Sequence, residues 1–354
     1  MSSYAIFRLP HHDTCTLMMQ SYGEPFELSS LTELNGKEGF VIAPFVASAQ
    51  FPILLLKPDV VETMQIKPMG EWTGTSLHIN EDKEHYVIDF ANFHAQLEAG
   101  VFRKIVLARK ADVTAEQSIA PEDLFMRACN LYPRMFVALV STERSGTWLM
   151  ATPEILLEGG GDEWHTIALA GTMKLTGEQL GFDNPPSLER KDKKSIAWSD
   201  KNIQEQRYVA TYITQCLEQF TDDFEETGPY TARAADLVHL RSDFDFKLNN
   251  VDRLGDVINE LHPTPAVCGI PKDETREFIM DNESSPRKYY SGFLGPLFPH
   301  DHTHLFVSLR CMQIVDNRYS LYAGGGLLND SVEQMEWDET KAKMETMLNL
   351  MHNA

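Results

Sequence analysis

The chain has few cysteines, a deficit of basic residues and no long apolar run. Its five cysteines are widely spaced, without a Cys-x-x-Cys pair, which argues against a zinc site or a disulfide framework. This pattern fits a reducing, cytoplasmic compartment. Only 31 lysines and arginines stand against 52 acidic residues, and the net charge of −21 disfavours nucleic acid or an anionic membrane as partner. An anionic ligand would need a local cationic site.

Neither a signal peptide nor a membrane-spanning segment is evident from the sequence. Residues 1–17 contain one basic residue, Arg8, and are interrupted by Pro10. The most apolar stretch, residues 40–56, contains Pro44 and Pro52 and predicts two short buried strands. Because no repeat, low-complexity tract or clear linker appears, the 354 residues predict one α+β domain with two groups of strands.

Apolar and β-branched patterns divide the chain into predicted elements. Strands are predicted at residues 104–113, 135–142, 148–157, 165–174, 292–297, 303–312 and 318–323. Glycines 159–161 predict a hairpin over residues 148–174, whereas glycines 324–326 are expected to follow the last strand as a loop. Helices are predicted at residues 121–131, 199–220, 232–240 and 252–261, with a final helix near the C-terminus.

The final predicted helix carries charge where an apolar stripe is expected. Glu336, Glu339 and Lys343 are spaced so that they share one face. Ser331 and Gln334 have the spacing of a capping box, which would start the helix there. A second row of this helix is apolar: Trp337, Met344, Leu348 and Met351. Buried charges cost several kcal/mol each, roughly, unless they are paired or bind a cation. The alternative is a solvated face with an ordinary Glu–Lys pair.

Seven short motifs occur in one order along the chain. They are Lys104-Ile-Val-Leu-Ala-Arg109, Ala151-Thr-Pro-Glu154, Leu169-Ala-Gly-Thr172, Lys201-Asn-Ile-Gln-Glu205, His262-Pro-Thr-Pro-Ala266, Ala323-Gly-Gly-Gly326 and Glu336-Trp-x-Glu339-Thr-x-x-Lys343. From about residue 102 to the C-terminus the chain resembles the chorismate-utilising enzymes, and the isochorismate synthase branch in particular. The resemblance implies two large β-sheets packed together with flanking helices. Residues 1–100 would be the variable N-terminal part and residues 101–354 the motif-bearing catalytic part.

The resemblance implies chorismate as substrate, Mg²⁺ as cofactor, addition of water at C2 and loss of the C4 hydroxyl. Lys104 matches the base that activates water, and Glu154 matches the acid that protonates the departing hydroxyl. From the residues alone, apolar neighbours on the same strand face as Lys104 would favour its neutral amine. Glu154 is an isolated carboxylate in apolar sequence, where partial burial would raise its pKa. An edge-strand lysine and an outward-facing glutamate are the alternatives.

Further roles are implied for a set of binding residues. Glu205, Glu336 and Glu339 resemble the family's magnesium ligands, and oxygen is the ligand atom that Mg²⁺ prefers. Arg310 matches the arginine that holds the enolpyruvyl carboxylate, a pairing that suits a planar guanidinium. The remaining substrate-binding candidates are Gly171, Thr172, His239, Tyr290, Ala323, Gly324, Gly325 and Lys343. A surface arginine and a structural histidine on an apolar helix are the alternatives for Arg310 and His239.

Two positions bear on the branch of the family. The resemblance implies water, not ammonia, as the nucleophile, because Lys104 and Ala170 stand where the ammonia-using members typically have glutamine and the aminodeoxychorismate branch has lysine. A salicylate synthase, which goes on to eliminate pyruvate, and a non-catalytic chorismate-binding homologue are the alternatives. Gln206 stands where the family usually has histidine after the metal glutamate, which leaves the orientation of Glu205 open. We expect a monomer or a weakly associating homo-oligomer.

Overall fold

Two antiparallel β-sheets pack face to face in the computed structural model of the protein, which describes residues 3–70, 72–174, 197–234 and 237–352. Within these ranges the first strands are β1 Ser3–Arg8, β2 Thr14–Gln20, β3 Phe26–Leu28, β4 Gly39–Ala43, β5 Ile53–Leu56, β6 Val60–Gln65, β7 Leu77–Glu81, β8 Lys104–Ala115, β9 Phe136–Thr142 and β10 Gly146–Thr152. The later strands are β11 Ile155–Gly160, β12 Glu163–Lys174, β13 Phe224–Ala234, β14 Leu237–Lys247, β15 Gly269–Ile270, β16 Phe293–Leu297, β17 Thr303–Val307, β18 Cys311–Val315 and β19 Arg318–Leu327.

The helices lie outside the two sheets. In chain order the described helices are α1 Lys83–Glu98, α2 Pro121–Leu131, α3 Asp200–Leu217, α4 Leu254–Leu261, α5 Lys272–Asn282 and α6 Glu333–Leu348, with short 3₁₀ turns at Leu31–Leu34 and Val251–Arg253. Local sequence explains several boundaries. Ser199 accepts a hydrogen bond from the backbone N–H of Asn202 and caps α3, and Pro121 occupies the first turn of α2. Across the described residues, no helix combines the length and apolarity needed to cross a membrane.

Sheet A follows the order β15-β8-β19-β18-β10-β9-β1-β2-β6, with β7 also paired to β8. Sheet B follows the order β13-β14-β12-β11-β17-β16-β4-β5-β3. The predicted fold class, two large sheets with flanking helices, is confirmed. Both sheets contain strands from the first hundred residues and from the later part of the chain. The early strands lie together toward one edge of each sheet, except β7, which pairs with β8 near the opposite edge of sheet A.

Strict alternation along the strands builds the core in layers. In β4, Phe40 and Ile42 point between the sheets, whereas Val41 and Ala43 point toward the helices of sheet B. Aromatic rings join the inner faces: Phe136 of sheet A stacks on Phe306 of sheet B with ring centroids 4.2 Å apart. The outer layers pack α3 and α4 on sheet B and α2 and α6 on sheet A. The structure thus has two sheets between helical layers.

Two predicted strands are each divided by the structure into two strands of different sheets. Residues 148–157 form β10 in sheet A and β11 in sheet B, separated at Pro153, which lacks the N–H needed to continue a ladder. Residues 303–312 form β17 in sheet B and β18 in sheet A, and Arg310 between them adopts a left-handed φ of 44°. The predicted hairpin is therefore only β11–β12. The chain crosses between the sheets at both breaks.

Other local predictions were wrong. The helix predicted at residues 232–240 is replaced by parts of β13 and β14, because its short apolar run belongs to an alternating strand pattern. Glycines 324–326 lie inside β19 and not in a loop. The capping box does not form: α6 begins at Glu333, and the Ser331 hydroxyl instead accepts a hydrogen bond from the Leu328 N–H. Helices α1 and α5 were not predicted at all.

Candidate active site

A cavity lies where the chain crosses from one sheet to the other. Pro153 and Glu154 line it from the β10–β11 break, and Leu309 and Arg310 line it from the β17–β18 break. Most predicted site residues meet there. The cavity is lined by Glu154, Gly171, Thr172, Glu205, His239, Tyr290, Arg310, Ala323, Gly324 and Lys343. The other candidates, Lys104, Gly325, Glu336 and Glu339, are not among its lining residues. Lys104 contacts the lining residue Glu205, and Gly325 of β19 lies next to the carboxylates of Glu336 and Glu339.

Glu154 is the most perturbed carboxyl of the cavity. It is 4% exposed, and burial raises its pKa to about 7 although Lys104, Lys343 and Arg310 act in the opposite direction. A carboxyl group with this pKa is substantially protonated near neutral pH. Glu154 can therefore donate a proton inside a cavity that is also lined by Arg310, Lys343 and Glu205.

Lys104 is completely buried on β8. Its ammonium group donates a hydrogen bond of 2.5 Å to the Pro265 carbonyl and lies 3.2 Å from Glu205 Oε1. The expectation of an apolar setting for Lys104 is therefore wrong. Its neighbours in sequence are apolar, but polar groups from α3 and from the turn at residues 262–268 contact its amine in the folded protein. These two contacts fix the direction in which the amine points.

Arg310 and His239 form a second polar unit in the cavity wall. Arg310 Nη2 donates to His239 Nε2 at 2.6 Å. Because a guanidinium only donates, Nε2 must accept, so the imidazole proton lies on Nδ1, which donates to the Gly171 carbonyl at 3.2 Å. Burial, then the charges of Arg310 and Lys343, lower the pKa of His239 well below its usual value. His239 is thus neutral and orients Arg310 from a strand, not from the predicted helix.

The glycines of β19 create the space that these side chains occupy. A Cβ atom on Gly326 would lie 2.1 Å from Glu205 Oε1 and 3.0 Å from Lys104 Cε. A Cβ atom on Gly324 would lie 2.9 Å from the Tyr290 hydroxyl. Side chains at these positions would displace Glu205 or Tyr290, so the glycines are needed for close approach.

An acidic cluster adjoins the cavity on α6. Glu336 is 2% exposed, and burial followed by the nearby charge of Glu339 raises its pKa. Lys201 of α3 pairs with Glu336; burial alone would lower the pKa of Lys201, but Glu336, Glu205 and Glu339 together raise it. Lys343 contacts Glu339 at 2.7 Å and donates to the Gly324 carbonyl at 2.8 Å. The charged stripe of α6 therefore faces the protein interior.

Residues 62–352 match the family model described as chorismate binding enzyme. The chain belongs to this family. It is 27% identical over 248 residues to the isochorismate synthase EntC of Escherichia coli (strain K12), a match that covers 70% of this chain and 62% of that relative, less than two thirds of its length. It is 29% identical over 288 residues to the isochorismate synthase DhbC of Bacillus subtilis (strain 168), which covers 78% of this chain and 71% of the relative.

Solved structures agree in fold. The menaquinone-specific isochorismate synthase MenF of Escherichia coli has a TM-score of 0.78 at 22% identity, with 99% of this chain and 89% of that chain covered. The anthranilate synthase component I of Streptococcus pneumoniae has a TM-score of 0.68 at 15% identity, with 97% and 89% covered. At these identities the likeness shows the fold alone.

The acidic cluster on α6 has features of a magnesium site. Mg²⁺ is commonly held by one or two carboxylates, with water and substrate oxygens completing the shell. Glu336 fits, because its Oε2 atom is buried and has no hydrogen-bond partner among the described residues. Glu339 lies close enough to affect the pKa of Glu336. Over the same part of the chain, no three His, Cys, Asp or Glu side chains converge as a metal site. The arrangement fits a two-carboxylate site, with Glu205 held apart by Lys104.

Sequence reasoning missed two contacts and left one question open. The missed contacts are those of Lys201 with Glu336 and of the Pro265 carbonyl with Lys104. Both residues lie within family motifs, and this was the only sequence signal for them. Gln206 does not contact Glu205: its amide donates to the Ala168 carbonyl at 3.0 Å and anchors α3 to β12. Glu205 is instead oriented by Lys104 and by the Gly171 N–H at 3.2 Å.

Proposed function

We propose that this protein is an isochorismate synthase that converts chorismate to isochorismate with Mg²⁺ as cofactor. The observation that carries the proposal is Glu154, a buried carboxyl with a pKa of about 7 in a cavity that also contains Arg310 and Lys343. Such a site suits a dianionic substrate that loses a hydroxyl group, because it offers both a proton donor and cations. The names of the relatives support the same reaction.

Glu154 acts as the general acid in this proposal. It gives its proton to the C4 hydroxyl, which leaves as water while the ring double bonds shift. A solvent-exposed carboxyl would be ionised at neutral pH and could not do this. Burial in the cavity wall is what keeps the proton available.

Lys104 acts as the general base. Its amine accepts a proton from the water that adds at C2, while the C4 hydroxyl leaves as water with the proton of Glu154. One water is thus gained and one lost, and proton exchange with solvent restores both side chains. The Pro265 carbonyl and Glu205 position the amine. Proton transfer by a positioned side chain accounts for roughly 10²–10⁴ of rate enhancement.

Separate parts of the site bind the two carboxylates of the substrate. Arg310, held by neutral His239, receives the enolpyruvyl carboxylate, and Gly171 and Thr172 contact the ring side. Glu336 and Glu339 would hold Mg²⁺, which when bound would offset the charge of the ring carboxylate, and Glu205 is paired with Lys104. Lys343 links the acidic cluster to β19, because it contacts Glu339 and donates a hydrogen bond to the Gly324 carbonyl.

Incubation of the purified protein with chorismate and Mg²⁺, followed by chromatographic separation of the products, tests the proposal. Isochorismate is expected, and its formation should stop when EDTA removes the metal. Salicylate with pyruvate would move the assignment to a salicylate synthase. Chorismate binding without any product would indicate a non-catalytic homologue. The matched Glu154→Gln variant guards against a contaminating activity, because it should be inactive when purified identically.

A further inference from the structure

A buried ion pair lies beside the cavity without lining it. Arg287 binds Glu283 through two hydrogen bonds, from Nε at 2.6 Å and from Nη2 at 2.7 Å, and each side chain is only 3% exposed. Glu283 follows α5, and Arg287 precedes β16. Neither residue has a role in the proposed chemistry. A buried pair that merely stabilises could often be replaced by apolar residues, so its other contacts are informative.

The pair completes one edge of β8, the strand that begins with Lys104. Strand β15 pairs with β8 only at Lys104 and Ile105, and β7 pairs with it only from Ala111 onward. Between them, the Val106 carbonyl accepts from Arg287 Nη2 at 2.8 Å, and the Ala108 N–H donates to Glu283 at 2.7 Å. The two side chains therefore satisfy backbone groups that a neighbouring strand would otherwise satisfy.

The same arginine holds the turn opposite Lys104. Arg287 Nη1 donates to the Val267 carbonyl at 2.7 Å, and the Val106 N–H donates to the Cys268 carbonyl at 2.7 Å. This turn also carries Pro265, whose carbonyl accepts the Lys104 hydrogen bond. Arg287 thus contacts both segments whose separation determines where the Lys104 amine lies.

We propose that Glu283 and Arg287 are positioning residues that set the location of the Lys104 amine by holding β8 and the 262–268 turn at a fixed separation. The guanidinium fork is essential to this role, because its separate N–H groups reach Glu283, Val106 and Val267 at once. The inference rests on the proposed function for its kinetic consequence but not for its structural one.

Arg287→Lys is the decisive variant, since it keeps the charge opposite Glu283 and loses the fork. We expect kcat for isochorismate formation to fall about 10- to 100-fold, since misplacement by about 1 Å can cost that much. KM for chorismate should change by less than about twofold, because the pair bonds to backbone groups of β8 and the turn. The proposed carboxylate-binding residue Arg310 is positioned by its own hydrogen bond to His239. A kcat within twofold of wild type, or an equal loss in kcat and rise in KM, would overturn the proposal.

A matched control separates positioning from stability. Arg127 is another buried arginine that donates to backbone carbonyls, at Asn349 and His352, away from the cavity. Arg127→Lys should lower the melting temperature without changing kcat. If Arg127→Lys lowers kcat as much as Arg287→Lys does, the effect is general loosening and the proposal fails.

Hydrogen exchange gives a readout that needs no turnover. The amides of Val106, Ala108 and Cys268 should exchange at least about tenfold faster in Arg287→Lys than in wild type, and unchanged in Arg127→Lys. Unchanged exchange at these amides would overturn the proposal even if turnover fell. If wild type forms no isochorismate, the proposed function fails, and this exchange result still decides whether the pair holds β8.

A double variant guards against failure to fold. Glu283→Leu with Arg287→Met removes both buried charges together, which proteins often tolerate. It should remain folded, with fast exchange at Ala108 and a kcat at least as low as that of Arg287→Lys. A folded double variant with wild-type kcat would overturn the proposal.

Discussion

The first hundred residues and the rest of the chain contribute to the same two sheets but differ in what they supply. Strands β1, β2 and β6 extend sheet A, and β4, β5 and β3 extend sheet B, each toward one edge. The cavity, in contrast, is lined only by residues from Val106 onward within the described ranges. The early strands build the core between the sheets, whereas the later segments carry the polar groups.

This difference shows how the fold separates stability from chemistry. Early residues such as Phe40 and Leu54 are fully buried between the sheets. The later segments instead bury Lys104, Glu154 and Glu336, whose desolvation must be offset by specific partners. The two parts are joined by the ladders β1–β9, β4–β16 and β7–β8. Near the cavity, the Pro52 carbonyl also accepts a hydrogen bond from Tyr289, the neighbour of the cavity residue Tyr290. Substitutions in the two parts should therefore have separable effects.

The largest loss of turnover is expected for Lys104→Ala. Removing the base should lower kcat by about 10³-fold or more, with chorismate affinity within about tenfold of wild type. Steady-state kinetics and calorimetric titration with chorismate measure the two quantities. Lys110→Ala, on the same strand but half-exposed and paired to Asp112, is the control and should remain active. An active Lys104→Ala enzyme would refute the assignment of the base.

Glu154→Gln should lower kcat by about 10²- to 10³-fold. In wild type, activity requires protonated Glu154, so kcat should decline as the pH rises through about 7. A kcat that stays constant from pH 6 to pH 9 would contradict the role of Glu154 as acid.

The pH dependence of the free energy of unfolding should reveal the raised pKa of Glu154 independently of turnover. The pKa of Glu154 is raised from 4.5 to about 7, so its folded form binds the proton more tightly than the unfolded chain does. The stabilisation is fully present below pH 4.5 and is lost as the pH rises through 7, about 3 kcal/mol in all. Denaturation of wild type and Glu154→Gln from pH 5 to pH 8 measures it. A constant difference between the two proteins would contradict the raised pKa.

A smaller kinetic effect is expected for Gly326→Ala. The added methyl group would lie 2.1 Å from Glu205 Oε1, so Glu205 must move away from Lys104. We expect a loss in kcat of about 10-fold and a destabilisation of about 1–3 kcal/mol. Gly70→Ala, where no atom lies within 4 Å of the new methyl, is the matched control and should resemble wild type. Full activity of Gly326→Ala would show that the Lys104–Glu205 contact is dispensable.

The smallest effect on turnover, with a large effect on stability, is expected in the early part. Leu54→Ala leaves a cavity between the sheets and should cost about 2–5 kcal/mol. The kcat measured well below the melting temperature should stay within about twofold of wild type. A specific loss of kcat in the folded variant would mean that the early strands also shape the site.

The sequence predicted the fold class and many elements because their periodicity is local. Strand β8 and helix α2 were predicted closely. Helical spacing placed Glu336, Glu339 and Lys343 on one face but did not decide whether that face is buried or solvated. The path of the chain at Pro153 and Arg310 could not be predicted, since a change of sheet leaves the apolar pattern unbroken. The strand position of His239 was missed for a different reason: the short run Leu237-Val238-His239-Leu240 suits a helix or a strand.

The sequence also could not predict which residues, distant along the chain, form hydrogen bonds or ion pairs with the site residues. Lys104 binds Pro265 and Glu205, and Arg310 binds His239, through contacts that depend on the packing of several elements. Sequence patterns identify residue types and spacing but not which long-range pairs meet. The roles assigned to these residues remain predictions until the variants are measured.

Turnover in ¹⁸O-labelled water tests the central claim most directly. If water adds at C2 as proposed, isochorismate isolated at early times should contain one solvent ¹⁸O atom, seen as a mass increase of about two units. The Lys104→Ala variant should form no labelled isochorismate over the same time. Unlabelled isochorismate would mean that the substrate's own hydroxyl migrates, and it would contradict the assignment of Lys104 and Glu154 as base and acid.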